Sequence, residues 1–167
     1  MATASSPLIE IKQFYGQQAV VSDWLTVDQA LIDRFGEATL DSDWMHTDTQ
    51  RAKREGPFGG TIAFGFWTIS MLTYFARQAT DHDYPPGALY GFNYGFDRLR
   101  LTAPVPVGSR IRNHSELIDV VDKGGGRYLV TTENRVEVDG QQKPAMIARW
   151  LFMLVYAIDE ERDKPPA

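Results

Sequence analysis

Asp41 and His46 are the residues of this chain best suited to moving protons. They stand five positions apart in Leu-Asp-Ser-Asp-Trp-Met-His-Thr-Asp, residues 40–48. The segment is too rich in Asp and Ser for a helix interior, because those side chains compete for nearby backbone groups. A loop of this composition can fold back and turn a carboxylate and an imidazole toward a common point. Around one water, a carboxylate and a neutral imidazole can pass protons in both directions near neutral pH. Downstream, Gly-Pro-Phe-Gly-Gly-Thr-Ile-Ala-Phe-Gly at 56–65 opens an apolar run that reaches Thr73. The first N–H groups of a helix beginning there have no intrahelical acceptor and carry the positive end of its dipole. They form a site for a developing oxyanion. Acid, base and oxyanion donor thus fall within one short stretch.

Length and composition bound what can position these groups. A chain of 167 residues suits one domain with a proper core, so a single domain over 1–167 is expected. Residues 1–16 form an N-terminal arm in this reading, and the charged, proline-ended 159–167 a mobile tail. The net charge of −5 argues against nucleic acid as a partner. With no cysteine there are no disulfides, thiolate zinc sites or thiol nucleophiles. His82, in Asp-His-Asp at 81–83, lacks further ligands nearby and reads as a solvated helix end, so no metal site is expected. The first residues carry no signal-peptide pattern and no apolar run reaches membrane-spanning length, which points to a cytoplasmic protein without a membrane partner.

The elements follow from pattern. Residues 17–25 read as a first strand, and Thr26 with Gln29 matches a capping box opening a helix over 27–38. Asp48 is placed to cap a short charged helix over 49–55. From Ala63 to Thr80 the chain is apolar nearly all round, which predicts a helix buried on every side. The rest is strand: 89–101, with Tyr90, Phe92, Tyr94 and Phe96 expected on one face, then 110–121, 128–138 and 143–157. Gly124-Gly125-Gly126 is a hairpin turn rather than a phosphate loop, since no helix follows it. His114 sits in an amphipathic strand as a structural residue. The architecture is α+β, one long buried helix laid against a strongly curved antiparallel sheet.

Three motifs in this order resemble the MaoC-like dehydratases, or R-specific enoyl-CoA hydratases, of the hot-dog fold, and most closely their nodulation-protein-N-like subgroup. The family's Asp-x-Asn-Pro-x-His is matched by Asp41-Ser42-Asp43-Trp44-Met45-His46. Its helix start, a small residue and His-Gly before an apolar run, is matched by Ala63-Phe64-Gly65-Phe66-Trp67. Its Arg-x-x-x-Pro-Val-x-x-Gly is matched by residues 100–108. The resemblance covers about Trp24 to Tyr156.

The resemblance implies Asp41 and His46 as the catalytic pair. They would add one water to a trans-2-enoyl-CoA thioester to give the (R)-3-hydroxyacyl product, with the Gly65 N–H holding the thioester oxygen. It also implies Thr73 as the helix hydroxyl of the site and a homodimer or higher homo-oligomer, with CoA present only as part of the substrate and no separate cofactor. Two positions depart from the family pattern. Asp43 replaces Asn and adds a carboxylate near Asp41, and Phe64 replaces the usual His. Phe64, Phe66 and Trp67 suggest a crowded acyl pocket, and Asn93 and Arg98 are candidates for the CoA moiety.

Two other functions compete. A hot-dog thioesterase needs a carboxylate on the central helix, and residues 63–79 carry neither Asp nor Glu. A non-catalytic acyl-thioester-binding subunit of a heteromeric dehydratase would have no reason to keep both Asp41 and His46.

Overall fold

The computed structural model of the protein describes residues 6–16, 19–80 and 83–158. The expected tail over 159–167 and His82 lie outside them. Four long segments alternate well enough to bury one face each. They form β3 (Ala88–Leu101), β4 (Arg110–Asp122), β5 (Arg127–Val138) and β6 (Met146–Tyr156), all antiparallel. The expected strand over 17–25 appears as two short pieces, β1 (Val20–Val21) and β2 (Leu25–Thr26), both pairing with β4. Sheet order is β1-β4-β5-β6-β3, so β6, the most apolar strand, has neighbours on both sides and β3 is an edge.

The long helix α5 (Gly65–Thr80) lies on the inner face of this sheet. Phe64, Trp67, Leu72 and Phe75 join Val130, Val136, Trp150 and Phe152 in one apolar cluster. This is the hot-dog arrangement expected from the sequence, with one correction. The helix is not buried on every side. Phe66 is 77% exposed, and Ser70, Thr73, Tyr74 and Arg77 continue the same exposed strip at helical spacing.

The aromatic row on β3 also differs from strict alternation. Register shifts between Asn93 and Gly95 and between Phe96 and Arg98 insert extra residues. Tyr90 and Phe92, opposite Val155 and Met153, share the outer face. Phe96, opposite Trp150, falls on the inner one. The bulge at Tyr94 turns Phe96 inward, the second shift restores the original faces from Arg98 onward, and side-chain pattern alone reveals neither.

At the far end of α5, helix α1 (Pro7–Phe14) inserts the fully buried Ile11 into the core, and Tyr15 packs at a tilt against Phe152. Burial there pushes the Tyr156 phenol up to about 12. Its hydroxyl is buried and makes no hydrogen bond among the described residues. The folded protein therefore holds this proton more tightly than the unfolded chain. The stabilisation is complete below the ordinary phenol value of 10.0 and is lost as pH rises from there through about 12. Tyr156→Phe, which removes an unpaired buried hydroxyl, should raise stability by about 1 kcal/mol. In denaturant titrations from pH 8 to 12 it should also move the alkaline loss of stability to higher pH.

Candidate active site

The residues singled out for chemistry are assembled by three short elements: α2 (Gln29–Thr39), α3 (Trp44–Thr47) and α4 (Thr49–Glu55). Asp28, not Thr26, caps α2, its carboxylate accepting from the Leu31 N–H at 2.8 Å. The expected capping box is therefore absent, and the Gln29 side chain is released for another task. At the other end, Leu40 takes a left-handed backbone conformation with φ of 59°, unusual and strained for a residue with a branched side chain. The reversal folds Asp41 back on α2, where its N–H donates to the Gly36 carbonyl at 2.9 Å. Gly36 is required by this approach, since a Cβ there would lie 2.7 Å from the Asp41 carbonyl oxygen.

Asp41 is exposed, and its Oδ1 accepts the Asp43 N–H at 3.1 Å. Asp43 is the N-cap of α3, accepting the Met45 N–H at 2.8 Å. Asn caps helices as well as Asp does, so the structural task of this position survives the departure from the family motif. Asp48 caps α4 through the Arg51 N–H, as expected.

His46 is half-buried in α3. Its Nδ1 lies 2.7 Å from the Ile62 carbonyl oxygen. A carbonyl only accepts, so Nδ1 carries the proton and neutral His46 presents Nε2 as a lone pair. Nε2 has no partner among the described residues. The imidazole lies against the Phe64 ring, with centroids 4.0 Å apart and planes 33° apart. The Ile62 N–H donates to the Met45 carbonyl. The segment leading into α5 is therefore bonded along α3, and His46 is tied to Ile62, three residues of chain before Gly65.

Gly65 begins α5, whose first-turn N–H groups have no acceptor within the helix. A Cβ on Gly65 would lie 2.4 Å from Leu101 Cδ1, so a larger residue there would have to push the Leu101 side chain aside where β3 passes the helix start. Asp41, His46 and Gly65 are thus drawn to one end of α5.

The remaining candidates lie elsewhere. Thr73 is two turns further on, about 12 Å along the axis. Its hydroxyl donates to the Ser70 carbonyl at 3.0 Å. It lines a cleft of about 440 Å³ together with Asn93, Tyr15, Tyr74, Trp150 and Phe152. Asn93 Oδ1 there accepts the Trp150 indole N–H at 3.2 Å. Arg98, opposite Arg149, points to the other face of β3 and does not share that cleft. Nor do Phe64, Phe66 and Trp67 form one wall. Phe64 and Trp67 are buried in the core, while Phe66 is exposed on the far side of the helix. The crowded pocket expected from these three is not assembled. On the exposed strip the hydroxyl nearest Gly65 is Ser70, which donates to the Phe66 carbonyl at 2.8 Å. Sequence reasoning passed over it, although a helical wheel through Phe66 and Thr73 includes it.

Elsewhere the ionic groups are structural. His114 and Arg112 both bond Glu137, at 2.6 and 2.7 Å, and hold its carboxyl below the usual range, Arg112 contributing most. Among the described residues no group of three acidic or His side chains is placed to hold a metal ion. No helix there is long and apolar enough to cross a membrane.

Comparison with known proteins matches residues 10–140 to the family described as the MaoC like domain. Over 140 residues, 84% of this chain and 90% of the other, it is 42% identical to 3-hydroxyacyl-thioester dehydratase Z of Mycobacterium tuberculosis. Over 158 residues, 95% of each chain, it is 36% identical to nodulation protein N of Rhizobium leguminosarum bv. viciae. Among solved structures, an (R)-hydratase from A. caviae superposes with a TM-score of 0.65 at 17% identity, covering 82% of this chain and 96% of that one. That last likeness speaks for the fold alone.

Proposed function

The chain belongs to the MaoC-like dehydratase family, and from that premise we propose that it is an (R)-specific enoyl-CoA hydratase and dehydratase. One observation carries the reading. His46 is fixed with its proton on Nδ1 and its Nε2 lone pair unused, five residues from an exposed carboxylate and beside the start of α5. Asp41 and His46 hold one water between them. The water's oxygen bonds to C3 of the enoyl thioester and its proton passes through the pair to C2, on one face of the double bond. The Gly65 N–H receives the thioester oxygen as it gains enolate charge. A donor of this kind contributes on the order of 3 kcal/mol to the transition state. The reverse sequence removes water from the (R)-3-hydroxyacyl thioester. No cofactor is required beyond the CoA of the substrate.

The acyl group runs from Gly65 along the exposed strip of α5 toward the cleft lined by Thr73 and Asn93. Thr73 then acts as part of the acyl-binding wall, two turns from the reacting carbons. The active form is a homodimer. Its support is the row of exposed apolar side chains on edge strand β3: Leu89, Tyr90, Phe92, Tyr94 and Leu101, each at least 49% exposed. An unpaired edge with such side chains favours pairing with a second copy.

The test is the turnover of crotonyl-CoA by the purified protein, followed through the conjugated thioester absorbance and by product analysis. Loss of absorbance with 3-hydroxybutyryl-CoA as product is expected. Release of free CoA would indicate thioester hydrolysis instead. No turnover on short, long or branched enoyl-CoAs would favour a non-catalytic subunit.

A further inference from the structure

We propose that Gln29 is a positioning residue that sets the orientation of His46. It is the first residue of α2, and its side chain makes three bonds. Nε2 donates to the His46 carbonyl at 2.7 Å and to Asp33 Oδ1 at 2.8 Å, while Oε1 accepts the Thr61 hydroxyl at 2.6 Å. Both amide hydrogens and the carbonyl oxygen are thereby used, which fixes the side chain in one rotamer. The contacts join three parts of the chain that only the fold brings together: the start of α2, the backbone of α3 at His46, and the buried Thr61 next to Ile62.

Ile62 is the residue whose carbonyl receives the His46 Nδ1 proton. Gln29 therefore holds the two ends of that bond in register, His46 by its own carbonyl and Ile62 through Thr61. With Phe64 against the ring face, the imidazole keeps neither of its free rotations. A short α3 of four residues has little stability of its own, so an external clamp decides where its His points.

This inference rests on the proposed hydratase reading for its effect on catalysis but not for its effect on the imidazole. The test compares Gln29→Ala and Gln29→Met with the parent, Met keeping most of the side-chain volume while losing the donor and acceptor. Nitrogen-15 spectra of the His46 ring, assigned with His46→Gln, should show one tautomer protonated at Nδ1 in the parent. Both Gln29 variants should show tautomer averaging. The kcat for crotonyl-CoA hydration should fall about 10- to 100-fold in both, with KM nearly unchanged, the scale expected for a misplaced catalytic group. Parental spectra and kcat in Gln29→Met would overturn the proposal and leave Gln29 a packing residue. If the parent itself does not hydrate enoyl-CoAs, the functional reading fails, and the spectra still decide whether the clamp exists.

Discussion

Asp41→Asn and His46→Gln are each expected to fold like the parent and to lose enoyl-CoA hydration by about a thousandfold or more, within the range for removing a general acid or base. The fold should survive Asp41→Asn because the carboxylate has one structural task, accepting the Asp43 N–H, and an Asn side-chain oxygen performs it equally. What is lost is the negative charge beside the water. His46→Gln keeps a donor near the Ile62 carbonyl but removes the Nε2 lone pair and the ring that covers Phe64. Loss of that ring contact should cost about 1 kcal/mol, well short of unfolding. Steady-state hydration rates beside thermal melts separate the two effects. A rate within tenfold of the parent in either variant would remove that residue from the chemistry.

The largest effect on stability within the site is expected at Phe64. Its side chain is 4% exposed and packs against Phe35 at 5.4 Å and His46 at 4.0 Å between ring centroids. Phe64→Ala removes a buried ring and leaves a cavity, at a cost of about 3–5 kcal/mol. For a domain of this length that corresponds to a melting temperature lower by about 10 °C. The same change strips one wall from the imidazole, so kcat should fall as well. Phe64→His, the residue more usual in the family, keeps a planar ring over His46 and should lose less of both. Calorimetry on the two variants checks the first part. A drop of under 2 °C for Phe64→Ala would show that the ring does not support the site.

Much of this arrangement is legible in the amino-acid order, because its signals are local. The spacing from Asp41 to His46, the glycines before α5, the cap at Asp48 and the alternating strands each act over a few residues. They lead to the hot-dog architecture and to the family. What escapes is set by tertiary contacts. The apolar composition of α5 suggests burial all round, yet Phe66 and Tyr74 are exposed in the single chain. Composition records that a side chain prefers to be covered, not which molecule covers it. Tyr94 looks like one step in an alternating row, but a bulge at that residue turns Phe96 to the inner face, and a second shift before Arg98 restores the original alternation. Gln29 matches a capping box with Thr26 in sequence, whereas Asp28 takes the cap and Gln29 reaches His46 and Thr61. Thr73 has the hydroxyl expected of a site residue but lies two turns beyond Gly65, where it lines the cleft and its hydroxyl bonds the Ser70 carbonyl.

Hydration of crotonyl-CoA in deuterium oxide, with the configuration determined at both C2 and C3, tests the mechanism most directly. A single water held by Asp41 and His46 predicts an (R) hydroxyl at C3 and deuterium at C2 added from the same face. An (S) product, or deuterium delivered from the opposite face, would contradict it.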